Sequence, residues 1–186
     1  MRNFLYPATN RADLAKALRL ALMGALIAGT FGILHDQVTY TISPEYFTRM
    51  KFDQFKVWDF GFPPRVFVGE IGFLATWWVG LIAAWFLARI ALPKFEFPAR
   101  SVRRAMLAIV GFVVCLGILA YFLGPSMLEN RRGWRESLEC MGVTDPVAFQ
   151  RVAAIHLAGY AGALIGWIVA MGCCLFRSKS RIPPQG

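Results

Sequence analysis

VFVGEIGFLATWWVGLIAAWFLA, residues 66–88, holds a single ionisable side chain, Glu70. A helix of this length spans the roughly 30 Å hydrocarbon core of a bilayer at about 1.5 Å per residue. The stretch therefore decides between a soluble fold and a membrane fold. The whole chain agrees with it: 57% hydrophobic residues and a mean hydropathy of +0.50 fit a soluble domain poorly. Comparable apolar runs cover 17–34, 105–128 and 152–176. The first begins where Lys16 and Arg19 can snorkel to the interface, which predicts an uncleaved helix rather than a signal peptide. Asp145 followed by Pro146 is a helix-start pair, so the last helix is predicted to begin outside the bilayer, at 146–176. The expected fold is an all-α integral membrane protein, one membrane domain over 1–186. It is a four-transmembrane-helix bundle with helices at 17–34, 66–88, 105–128 and 146–176, topped by a structured exterior cap from 35–65 and 129–145.

Lys and Arg set the orientation. One side carries Arg2, Arg11, Lys16 and Arg19, then Arg89, Lys94, Arg100, Arg103 and Arg104, then Arg177, Lys179 and Arg181. The other carries fewer, Arg49, Lys51, Lys56, Arg65, Arg131, Arg132, Arg135 and Arg151, together with every acid except Asp13 and Glu96. Both termini and the middle loop are thus expected in the cytoplasm, with the chain a multi-pass protein of a bacterial inner membrane. The formal charge of +9 is spread along membrane boundaries, where anionic lipid accounts for it. No recognition motif accompanies it, so the bilayer, and not a nucleic acid, is the implied partner. The cysteines fall at different depths and form no C-x-x-C. Cys115, Cys173 and Cys174 read as small apolar fillers and Cys140 as the one exterior thiol.

Small residues four apart mark faces where helices approach closely in lipid. Gly24 and Ala28 on the first helix and Gly162 and Gly166 on the fourth are such positions. These two faces are expected to meet, within one bundle or between copies in a homo-oligomer, or to engage another membrane protein. Outside, Gln37 to Ile42 alternates polar and apolar residues, the period of a strand or extended cover. Ser43-Pro44-Glu45 is a helix-start signature, after which Phe47, Met50 and Phe55 share an apolar face. Between Gly133 and Gly142, the spacing of Trp134, Leu138 and Met141 predicts a short amphipathic helix.

Ionisable groups at membrane depth point to function. Glu70 and His156 each lie five positions beyond an arginine, Arg65 and Arg151, and so sit about 7.5 Å below the exterior interface. His35 and Asp36 end the first helix on that side, and Tyr160 is one turn below His156. His35, Glu70 and His156, with Asp36, are candidate ligands for a divalent metal. His35 and His156 are alternatively axial ligands of a b-type haem with Arg65 near its propionates. A third reading is a ligand or proton pocket in which His156 and Glu70 exchange a proton, and a fourth is purely structural, with His156 and Glu70 pairing or bonding to Tyr160 or to backbone carbonyls and so fastening helix ends. No nucleophilic triad, phosphate loop or metalloprotease motif is present, and no catalytic residue is named.

The run His35-Asp36-Gln37, Thr39-Tyr40, Ser43-Pro44-Glu45-Tyr46-Phe47, Lys51-Phe52 and Gln54-Phe55 resembles the first exterior loop of a group of uncharacterised bacterial four-transmembrane-helix proteins. The resemblance covers residues 35–55 and the hydropathy layout, and it implies an inner-membrane placement without an activity. The expected function is an accessory or regulatory membrane protein whose exterior cap binds a small ligand or partner. A metal- or haem-binding protein is the second expectation. Transport is disfavoured by the apolar cytoplasmic half.

Overall fold

The computed structural model describes residues 11–129 and 133–176, the side chains of 127–129 excepted. Arg2, Arg131, Arg132, Arg177, Lys179 and Arg181 of the charge balance lie outside the described residues. In chain order come α1 (Arg11–Ile42), α2 (Pro44–Tyr46), a π-helical turn (Phe47–Lys51), α3 (Phe52–Phe55), a 3-10 turn (Lys56–Trp58), α4 (Pro64–Ala91), α5 (Pro98–Glu129), α6 (Trp134–Cys140) and α7 (Pro146–Phe176). No strand occurs among the described residues. Helices α1, α4, α5 and α7 are long and apolar enough to cross a membrane. The fold is an all-α four-helix bundle.

The bundle is built from two helical hairpins, α1 with α4 and α5 with α7. In the first, a Cβ added to Gly32 would overlap the carbonyl oxygen of Gly72, and one on Gly24 would overlap Ala84 and Gly80. Ala28 meets Gly80 on the same seam, and Thr76 gives its hydroxyl to the Ala28 carbonyl at 2.8 Å. In the second, Gly162 faces Leu116 and Val113, Gly166 faces Ile109 and Phe112, and Gly124 admits Ala154. Within the bundle the Gly24/Ala28 face therefore does not meet the Gly162/Gly166 face, as one form of the expectation had it: each is taken by the neighbour in its own hairpin. Spacing alone reveals a close-packing face but not what covers it.

Two apolar cores hold the hairpins together. At the end nearest the termini, Ala17 and Leu20, Leu87 and Ala88, Val102 and Met106, and Cys174 come from all four long helices. Lys94, in the short connection between hairpins, donates to the Cys174 and Leu175 carbonyls and so caps the end of α7. At the other end, Tyr46 and Phe47 of the cap pack with Val68, Leu138, Phe149 and Val152.

The cap differs from its sequence reading in one respect. Gln37 to Ile42 is not an extended cover but the last turns of α1. At about 1.5 Å per residue its 32 residues reach about 48 Å, well past the bilayer core. The polar residues form two helical stripes: Asp36, Thr39 and Ser43 are buried, while Gln37 and Thr41 face Arg65. The threonines are accommodated because Thr39 and Thr41 return their hydroxyls to the carbonyls of His35 and Gln37. Arg65 bonds Gln37 and Thr41, lies 5.3 Å over the Tyr40 ring, and accepts from Gln37 on its own carbonyl at 2.7 Å, fastening α4 to α1.

The helix starts occur as read. Ser43 Oγ accepts from Tyr46 N–H, and Asp145 Oδ1 accepts from Ala148 N–H at 3.0 Å. The short helix α6 runs between Gly133 and Gly142, both in the left-handed conformation that glycine tolerates, with Leu138 inward. Glu45 does something sequence did not suggest. Its carboxylate accepts from the Thr144 and Asp145 amides and the Thr144 hydroxyl at 2.8–3.1 Å, tying the cap segment after α1 to the start of α7. These backbone N–H groups hold the Glu45 carboxyl below its ordinary value. A depressed acid stabilises the fold at pH above its unfolded value, about 4.3, and that contribution disappears as pH falls through the folded value. Amide exchange at Thr144 and Asp145, corrected for intrinsic rates, is expected to accelerate on acidification below about pH 4.3. Glu45→Ala should show the fast exchange at neutral pH. Protection that is the same at both pH values in the native chain would refute the tie.

Candidate metal centre

Three donor groups converge where α1 emerges under the cap. Successive residues His35 and Asp36 come from α1 and His156 from α7, and one donor atom from each lies within 4.8 Å of the others. Asp36 Oδ1 is the hub, 2.9 Å from His35 Nδ1 and 3.3 Å from His156 Nε2. Asp36 is 5% exposed and His156 6%, whereas the His35 side chain keeps 18%. The centre is buried with one open flank.

Packing fixes the rings. His35 and His156 meet edge to face with centroids 4.8 Å apart, and the Tyr46 ring lies against His156 at 4.8 Å and 30°. Phe47, fully buried, adds an edge 6.1 Å away. Tyr46 reaches this place because the Ser43 cap and Pro44 restart the chain just above α1. Burial, followed by Tyr160 and Asp36, pushes the Tyr46 phenol well above its ordinary value, so it stays an O–H.

Proton accounting gives the cluster its chemistry. His156 Nδ1 is 3.0 Å from the Val152 carbonyl, which only accepts, so Nδ1 carries the hydrogen. In a neutral ring Nε2 is then a bare lone pair, and it faces a carboxylate oxygen. Two acceptors 3.3 Å apart require a cation between or beside them, either a proton or a metal ion. A metal-binding histidine typically donates its other ring N–H to a carbonyl or carboxylate, as His156 does here. Bonds of about 2.0–2.1 Å in a tetrahedral site set neighbouring ligand atoms about 3.3 Å apart. The 3.3 Å from Asp36 Oδ1 to His156 Nε2 equals that edge, while the 2.9 Å to His35 Nδ1 is shorter and the three donor atoms span up to 4.8 Å.

The sequence candidates separate on the structure. His35, Asp36 and His156 come together, while Glu70, expected as the carboxylate ligand, lies outside the group. Its Oε2 is buried without a hydrogen-bond partner among the described residues. Depth along a helix placed Glu70 level with His156, but its azimuth on α4 points elsewhere. His156 pairs with neither Glu70 nor Tyr160, and of the structural bonds expected of it the one to a backbone carbonyl is present, at Val152. The Tyr160 hydroxyl instead accepts from Lys51 at 3.4 Å. Axial ligation of a haem needs room for a porphyrin between the imidazoles, and here the two rings lie 4.8 Å apart with Asp36 bridging them. Arg65, assigned to propionates, is spent on Gln37, Thr41 and Tyr40. Sequence reading missed Lys51, a 6% exposed cation whose ammonium sits 5.9 Å from the Tyr46 and Phe55 rings. Its place in a π-helical turn left no periodic signal. No protein family, curated protein or solved structure matches the chain.

Proposed function

We propose that the chain is an accessory or regulatory protein of a bacterial inner membrane that binds one divalent first-row transition ion at His35, Asp36 and His156, beneath its exterior cap. The observation that carries this reading is the orientation of His156, whose Nδ1 is committed to a carbonyl and whose Nε2 is aimed at a carboxylate already shared with a second imidazole. Two nitrogens and one oxygen suit zinc- or iron-class ions rather than calcium or magnesium, which prefer all-oxygen sites. Three protein ligands leave coordination positions open, as in sites that exchange a water or small ligand. The partly exposed flank at His35 is the way in. The charge asymmetry of the loops and the resemblance of residues 35–55 support the inner-membrane placement with cytoplasmic termini.

The direct test is elemental analysis of the purified chain, followed by Co(II) titration of the chelator-treated protein. The expected result is one ion per chain and a visible Co(II) spectrum of low-symmetry N/O coordination, lost in His156→Gln. A chain that neither retains a metal nor takes up Co(II) would leave only the proton as the cation between His156 and Asp36, and the metal reading would be abandoned. Orientation has its own test. Cys140 is exposed on the cap, so a membrane-impermeant maleimide is expected to label it in intact cells. Labelling only after lysis would invert the topology.

A further inference from the structure

Far from the metal centre, on the half of the bundle nearest the termini, a lateral groove of about 840 Å³ opens between α5 and α7. Ala108 and Phe112 line one wall and Gly166 and Ala170 the other, with Ser101 and Arg104 at its terminal-side mouth. From Arg104 to Phe112 the groove follows α5 for about 12 Å, from the interface into hydrocarbon depth. The small residues make it a channel: Gly166 lets Ile109 and Phe112 approach without a side chain of its own.

The charge at the mouth is uncompensated. Arg104 is exposed and has no hydrogen-bond or ion-pair partner among the described residues. Ser101 already gives its hydroxyl to the Phe97 carbonyl, so the guanidinium is the donor left to offer. Lys94, at the same end, is occupied with the α7 carbonyls. A guanidinium fork matches phosphate oxygens in two directions, and an apolar slot beneath it matches a hydrocarbon chain.

We propose that this groove holds an acyl chain of an anionic phospholipid from the leaflet on the side of the termini, with its phosphate on Arg104. The chain's own residues 177–186 are a poor occupant, because Arg177, Lys179 and Arg181 repeat the charge of Arg104. A site of this size lies within the roughly 300–1,000 Å³ of small-ligand pockets, enough for part of one lipid rather than a helix.

Native mass spectrometry of the full chain in detergent tests the assignment, using equimolar phosphatidylglycerol and phosphatidylcholine with identical acyl chains. Phosphatidylglycerol is expected to be retained in preference. Arg104→Gln should cut its retention about fivefold, the effect of one basic residue at an anionic surface. Arg100→Gln, outside the groove lining, should reduce retention clearly less than Arg104→Gln. Ala108→Trp, which fills the slot and spares Arg104, should reduce retention of both lipids. Added phosphatidylglycerol should also slow alkylation of Cys173, on the groove wall, while Cys140 on the cap reacts as before. This readout stands even if Ala108→Trp fails to fold. Equal retention of the two lipids, equal effects of the two arginine variants, or a dimer that Ala108→Trp dissociates would each overturn the proposal, the last by making a second copy of the chain the occupant.

Discussion

Asp36→Asn is expected to weaken Co(II) binding by more than about a hundredfold, since even residues that only support metal ligands are typically worth 10- to 100-fold. The same substitution should cost the fold little. Asparagine keeps an oxygen beside His35 Nδ1, 2.9 Å away in the native chain, and keeps the volume of a side chain that is 5% exposed. Asp36→Ala is the contrasting variant. It removes the hub shared by both imidazoles, leaves His35 and His156 facing a void, and should lower stability by about 3 kcal/mol or more, as when one member of a buried charged pair is deleted. Co(II) titration and denaturation midpoints measured together separate the two roles. If Asp36→Asn binds Co(II) as tightly as the native chain, the carboxylate is structural and its place among the ligands falls. If both variants fail in both assays, the hub is chiefly a fastening between α1 and α7.

Gly32→Ala should destabilise the chain by about 3 kcal/mol, the upper end of the cost of overfilling a packed interface. One methyl suffices because the group it would strike is backbone: the Gly72 carbonyl, with Thr76 Oγ1 beside it. A carbonyl in a helix cannot rotate away, so α1 and α4 must separate along the seam that Gly24 and Gly80 continue. Gly32 is also less than one turn before His35, and a displaced α1 carries His35 and Asp36 away from His156. Co(II) affinity should therefore fall together with stability. Gly111→Ala, where an added Cβ meets nothing within 4 Å, is expected to leave both unchanged. Equal tolerance of the two substitutions would show that the seam is looser than described.

Hydropathy made the four long helices legible because a bilayer imposes one demand on every residue of a crossing segment. Helix starts at Ser43 and Asp145 were legible because capping is local. The short run from Gln37 to Ile42 was misread, since six residues of alternating polarity fit a strand and two helical stripes alike. Placing Asp36 with Thr39 and Ser43, and Gln37 with Thr41, distinguishes the two. The metal candidates were legible in depth but not in azimuth. His35, Asp36, Glu70 and His156 all lie near one level, and only the packed bundle shows that Asp36, not Glu70, is the carboxylate that His156 meets. Glu45 was invisible for a plainer reason: its partners are Thr144 and Asp145, nearly a hundred positions away.

His35 and Asp36 belong to the α1–α4 hairpin and His156 to the α5–α7 hairpin, so neither hairpin owns the centre. Taken apart, one hairpin presents the Asp36 carboxylate and the other the His156 imidazole. Burying either against a wrong surface strands a charge or a polar ring without a counterpart. Of the ways two apolar hairpins can pack, the buried cluster favours the register in which Asp36 meets His156.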